Sequence, residues 1–174
     1  FCECATRIEN NELPKYPNLS RKGKSITIRL DSGKDVSLND TSPADKNDLA
    51  TSKFRFERKE NGYYIFQVCC WEWSERHIVN GLTGTAIRTF GEQIFSPDGK
   101  HMLSFSDEFF SRNGIEIFDL SAENPKKVFA IAPPGVSMRS ISWKANDLIE
   151  IIDANSEKEK TRFITLKNTT WSLK

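Results

Sequence analysis

The sequence predicts an all-β protein made of stacked four-stranded antiparallel sheets. Three observations predict it. Short apolar runs alternate with polar residues in period two along most of the 174 residues. Tight-turn signals separate the runs: Asn61-Gly62, Ser96-Pro97-Asp98-Gly99 and Asn146-Asp147. The order strand, polar turn, strand, loop, strand, short link, strand recurs. Its anchors Phe56, Phe95 and Trp143 are spaced by about 40 to 48 residues, the period of four-stranded propeller blades. No segment sustains a helical period, so little helix is expected.

In chain order, residues 1–24 read as an extended arm carrying Pro14 and Pro17. Residues 25–50 hold a hairpin and a polar loop. Ile26, Ile28 and Leu30 alternate, Ser32-Gly33 turns, Val36 and Leu38 return, and Pro43 lies in the loop. The first repeat, 51–90, pairs Phe54 and Phe56 with a long strand after Asn61-Gly62. Tyr63, Ile65, Gln67, Cys69, Trp71 and Trp73 share one face of that strand; Tyr64, Phe66, Val68, Cys70 and Glu72 share the other. Both faces are mostly apolar, which predicts burial on both sides. Strands at 76–81 and 85–90 complete the repeat. The second, 91–135, places Ile94 and Phe95 before its turn and Met102, Leu103 and Phe105 after it, then Ile115 and Ile117, then a strand stopped by Pro133 and Pro134. The third, 136–174, has Ile141 and Trp143, Leu148 to Ile152, and strands at 161–166 and 169–173. All of this reads as one domain, 1–174.

Phe95-Ser96-Pro97-Asp98-Gly99-Lys100, followed about fifteen residues later by Ile115-Glu116-Ile117-Phe118-Asp119, resembles the repeats of WD40-like and TolB-like β-propellers, best over residues 91–135. The resemblance implies blade-like sheets: a partial, open propeller or a very small one, with about three repeats plus the N-terminal hairpin. Four blades is the usual minimum for a ring, so the open arc is the preferred expectation. Such a fold by itself assigns no function.

Charge narrows the partners. Lys+Arg number 25 against Asp+Glu 24, a net charge of +1, which gives no electrostatic reason for nucleic acid or an anionic membrane. No apolar run reaches the roughly 20 residues of a membrane span. The chain opens on Phe1, which fits removal of a signal segment, and the expected location is secreted or periplasmic. The four cysteines are Cys2, Cys4, Cys69 and Cys70. Their spacings are tighter than those of structural zinc sites, so no metal is expected. Buried free thiols are one reading. Disulfides that pin the N-terminal arm to the long strand, in an oxidising compartment, are the reading adopted.

Signs of catalysis are sparse. His77 and His101 read as surface or edge residues. No nucleophile elbow, zinc-protease, Walker-type or dinucleotide motif occurs. The expectation is therefore a non-enzyme without cofactor that binds another protein, an inhibitor or immunity protein being one form. Phe109, Phe110 and Arg112 lie in a polar loop between strands, where aromatic and Arg side chains make binding hot spots. Trp71 and Trp73 are the second choice: they either pack in the core or form an aromatic platform for a protein or a sugar. The alternative function is accordingly a carbohydrate-binding or cell-surface module.

Overall fold

Antiparallel strands dominate both halves of the chain. The computed structural model describes residues 2–41, 52–69, 74–106, 114–131, 138–153 and 160–174, and the chain divides into two units, 1–89 and 90–174. The first unit runs α1 (Cys2–Glu12), a single 3-10 turn (Leu13–Lys15), β1 (Leu19–Lys22), β2 (Ser25–Arg29), β3 (Asp35–Asn39), β4 (Lys53–Glu60), β5 (Tyr63–Cys69), β6 (Ser74–Asn80) and β7 (Ala86–Phe90). The second runs β8 (Glu92–Phe95), β9 (His101–Ser106), β10 (Gly114–Asp119), β11 (Lys126–Ile131), β12 (Met138–Ala145), β13 (Leu148–Asp153), β14 (Lys160–Lys167) and β15 (Thr170–Leu173).

The strands form four antiparallel sheets, ordered β1-β2-β3, β4-β5-β6-β7, β11-β10-β9-β8 and β12-β13-β14-β15. The expected all-β architecture of four-stranded antiparallel sheets is therefore what the chain adopts. Phe56, Phe95 and Trp143 each stand in the first strand of a four-stranded sheet, as the spacing required. The β4–β5 turn is Asn61-Gly62, with φ of 48° and 78°. Two successive positive φ values match the twist of the flanking strands, and Asn-Gly tolerates them.

Each unit buries its own core between two sheets. In the first, Leu19, Ile26, Ile28 and Leu30 pack against Phe56, Tyr64, Phe66 and Val79. In the second, Leu103, Ile115 and Ile117 pack against Ile141, Ile149, Ile151, Ile164 and Trp171. Full burial of side chains of this size stabilises by about 1.5–3 kcal/mol each, so these contacts hold the sheets together. Tyr63 to Val68 are all buried, which confirms that β5 is covered on both faces.

Two elements differ from the sequence reading. The arm at residues 1–24 is not extended: it contains α1 and then β1, which turns the hairpin into a three-stranded sheet. Helix α1 escapes a periodicity search because its buried stripe is Ala5 and Glu9, one small residue and one carboxylate. Glu9 is 3% exposed and pairs with Arg21 of β1. Arg21 also donates to the Phe54 carbonyl, and Arg55 donates to Thr6 Oγ1 at 3.2 Å and to the Asp40 carboxylate at 3.1 Å. Charge pairing, not apolar area, seats this helix on β4.

Candidate functional site

Most residues singled out from sequence lie beyond reach of the geometry. Trp71, Trp73, Phe109, Phe110, Arg112 and Cys70 fall outside the described residues. Cys2 begins α1 and Cys69 ends β5, but their side chains also fall outside. Cys4 is an exposed free thiol on α1. Among the described residues no group of three or more His, Cys, Asp or Glu side chains is placed to hold a metal ion.

Three turns meet at one end of the first unit: Leu30–Lys34 between β2 and β3, Asn61-Gly62 between β4 and β5, and residues 80–85 between β6 and β7. Backbone bonds tie them. The Asp31 amide donates to the Gly81 carbonyl at 2.9 Å, and the Gly81 amide donates to the Gly62 carbonyl at 2.8 Å. The last turn is fastened again from inside. Asn80 Oδ1 accepts the amides of Leu82 (2.9 Å) and Thr83 (3.1 Å), and the Asn80 carbonyl accepts the Gly84 amide at 2.9 Å. An Asn side chain that closes a turn on its own following amides is the standard Asx device. It fixes the backbone on either side of Leu82, whose side chain is 60% exposed. Leu82 thus adds little to the core and stands on a rigid backbone.

Below these turns, the buried Tyr64 hydroxyl accepts the Lys59 ammonium at 3.0 Å and, by a short contact, the Asn18 amide. The ammonium lies 4.6 Å from the centre of the Tyr64 ring. The hydrogen bond to Tyr64 holds the Lys59 pKa above its ordinary value against the opposing effect of burial, and Asp31 adds to the rise. Lys59 therefore stays a cation at neutral pH. This end of the unit offers a fixed apolar tip at Leu82, while the Lys59 ammonium is held on Tyr64.

Both histidines differ from the sequence reading. His77 lies inside β6, is 6% exposed, meets the Phe54 ring edge-on at 5.0 Å and shares a hydrogen bond with Glu75 at 3.0 Å. Burial lowers its pKa, Glu75 opposes that shift, and the Arg88 charge adds to it. In the second unit, His101 sits 5.5 Å from Trp171 and 6.3 Å from Trp143 between ring centres. Its Nδ1 is shielded without a hydrogen-bond partner among the described residues, and Trp143 Nε1 donates to the Ile94 carbonyl at 3.0 Å. The nearby carboxylates of Asp98 and Asp119 are held below the usual range by bonds from the hydroxyls of Ser96 and Ser121 and from the amides of Lys100 and Ser121. The cluster closes the end of the second core. His101 follows the Gly99-Lys100 turn directly, so its neighbours across the sheets carry no local sequence signal.

No family model and no curated protein matches the chain. Among solved structures, a Bacteroides fragilis protein provisionally named a 6-phosphogluconolactonase is similar at 12% identity and a TM-score of 0.40; the likeness covers 90% of this chain and 67% of that one. The expectation of a non-enzyme does not stand, because the protein in that comparison bears an enzyme's name. No reaction is carried over from it.

Proposed function

We propose that the chain is a protein-binding module. The observation that carries the reading is the exposed Leu82 on a turn fixed by Asn80 and tied to two neighbouring turns. A contact residue held in place before binding loses little conformational entropy on docking, which leaves more of the contact energy as affinity. Turns on a rigid sheet scaffold are also where binding residues concentrate.

The test is a comparison of the wild-type chain with Leu82→Asp as bait for proteins of its own source. Calorimetry is then run on each protein retained. The reading expects a partner whose Kd rises at least about thirtyfold with Leu82→Asp, roughly 2 kcal/mol, at an unchanged Tm. A partner bound equally by both baits moves the contact off this turn. Retention of no partner by the wild type counts against the module itself.

A further inference from the structure

Helix α1 and the turn after it are held in different ways. Leu13 and Tyr16 pack against the first core, and the Tyr16 ring meets Phe56 edge-on at 5.2 Å. The helix itself buries Ala5 and Glu9, while Ile8, its largest apolar side chain, is 41% exposed. Its seat therefore rests on charge: Glu9 on Arg21 and, at 3.8 Å, on Arg55, with Thr6 Oγ1 accepting from Arg55. Ion pairs taken out of water gain little beyond what their desolvation costs, and lifting the whole helix returns all these groups to water together. A helix of 11 residues that includes Thr6, Asn10 and Asn11 does not stay folded once it leaves its seat. It can open while Leu13 and Tyr16 hold the chain at its base.

The helix packs on an edge strand. β4 ends the order β4-β5-β6-β7, and the Phe54 N–H and carbonyl are met by side chains: Asp40 Oδ1 at 2.8 Å, Arg55 Nη1 at 2.7 Å and Arg21. Arg21 Nη1 is shielded, approaches Asp40 Oδ2 at 3.5 Å and donates no hydrogen bond among the described residues. With Glu9 lifted away, the two guanidinium groups share Asp40 as their carboxylate among the described residues. One positive charge and an unmet donor then stand beside strand backbone that only side chains cover.

We propose that α1 is a releasable strap and that the place it covers takes an extended acidic segment of another protein. The segment lies along β4, its backbone replacing the side chains on Phe54, and sets a carboxylate between Arg21 and Arg55 where Glu9 stood. An extended backbone is what an edge strand pairs with, and the carboxylate is what the two arginines lack once Glu9 is gone. Strap and segment compete for the same two arginines, so binding is confined to the fraction of molecules whose α1 is lifted.

An arginine-specific protease reads the strap in the full chain. The bond after Arg7 is cut when α1 unfolds locally, the bond after Arg76 inside β6 when the sheet unfolds. In the wild type the cut after Arg7 should outrun the cut after Arg76 by at least about tenfold. Glu9→Gln, which keeps the shape and removes the charge, should speed the Arg7 cut by about tenfold more, corrected for a free peptide of residues 2–12 with the same change. The partner is probed with the synthetic peptide Thr-Val-Glu-Val-Thr-Val and its Glu-to-Lys counterpart. The Glu peptide should speed the Arg7 cut in the wild type by holding the strap off, and should bind Glu9→Gln at least about tenfold more tightly than the wild type. The Lys peptide should do neither. Equal rates at Arg7 and Arg76 overturn the strap. A Glu peptide that leaves the Arg7 rate unchanged, or a Lys peptide that matches it, overturns the partner. Self-association of Glu9→Gln in place of peptide uptake assigns the edge to a second copy and overturns it equally.

Discussion

Gly99 takes φ of 70° in the turn that Ser96, Pro97 and Asp98 open. The Gly99 amide donates to the Ser96 carbonyl at 2.9 Å, and Asp98 Oδ1 takes the Ser96 hydroxyl at 2.7 Å and the Lys100 amide at 3.1 Å. A β-branched residue is strained at that φ, so Gly99→Val should lower stability by about 1–3 kcal/mol in chemical denaturation. An unchanged midpoint would contradict the turn geometry. His77 yields a prediction with a definite sign. Its folded pKa lies below the ordinary 6.5 because burial disfavours the cation. As pH falls through 6.5 the unfolded chain takes up a proton that the folded chain refuses. Stability should therefore be level above that pH and decline below it, until the folded value is passed. Denaturation midpoints at about pH 7.5 and 5.5 should show the decline in the wild type, and His77→Gln should reduce it. Asp98 and Asp119 are also depressed, but from 3.8, so their contribution disappears only in stronger acid and leaves this window clear.

At the scale of elements, strands were legible and the helix was not. Turn chemistry and period-two alternation are local, and they placed most strands of the three four-stranded sheets to within about two residues; the long strand, read through to Trp73, instead ends at Cys69, which pairs with Ser74 of the next strand. Helix α1 depends on partners far along the chain: Glu9 is explained only by Arg21 and Arg55. Glu9→Ala would leave those two guanidinium groups with Asp40 as their one carboxylate partner among the described residues and should cost about 3 kcal/mol, read from the urea midpoint. The cysteine expectation belongs here too. Cys4, expected as a possible disulfide partner, is a free thiol; a disulfide between Cys2 and the Cys69/Cys70 pair would tie α1 to the sheet it rests on and close a loop of more than sixty residues, for which chain entropy gives roughly 4 kcal/mol. Mass spectrometry of the unreduced, digested protein should find that cross-link; four free thiols would exclude it.

For the whole molecule, repetition was the legible property. Spacing of Phe56, Phe95 and Trp143 gave the number of four-stranded sheets because each sheet reuses one local plan. The proposed binding surface was not legible for the opposite reason. Leu82 sits in a stretch that reads as a short link, and its significance depends on bonds from Gly62 and Asp31, remote in sequence. Phe109 and Phe110 stand out in sequence because they occupy no repeat position. Replacing both with Ala should leave Tm within a few degrees and weaken binding to the native partner by at least roughly 2 kcal/mol, if their loop adds to the contact. A large drop in Tm would instead show that they plug the core.

Phe54 lies on β4, the edge strand of its sheet, where an amide ordinarily exchanges its proton with solvent quickly. Its N–H donates to Asp40 Oδ1 at 2.8 Å, and its carbonyl accepts the guanidinium groups of Arg21 and Arg55. Side chains here occupy the positions that a neighbouring strand's backbone would fill. In deuterated solvent, the Phe54 amide should therefore stay protected on the timescale of interior amides. Its lifetime should shorten when Asp40 is replaced by Ala. Because Asp40 balances both arginines, the same substitution would also open the strand to pairing with another chain, and the protein should then precipitate at concentrations the wild type tolerates.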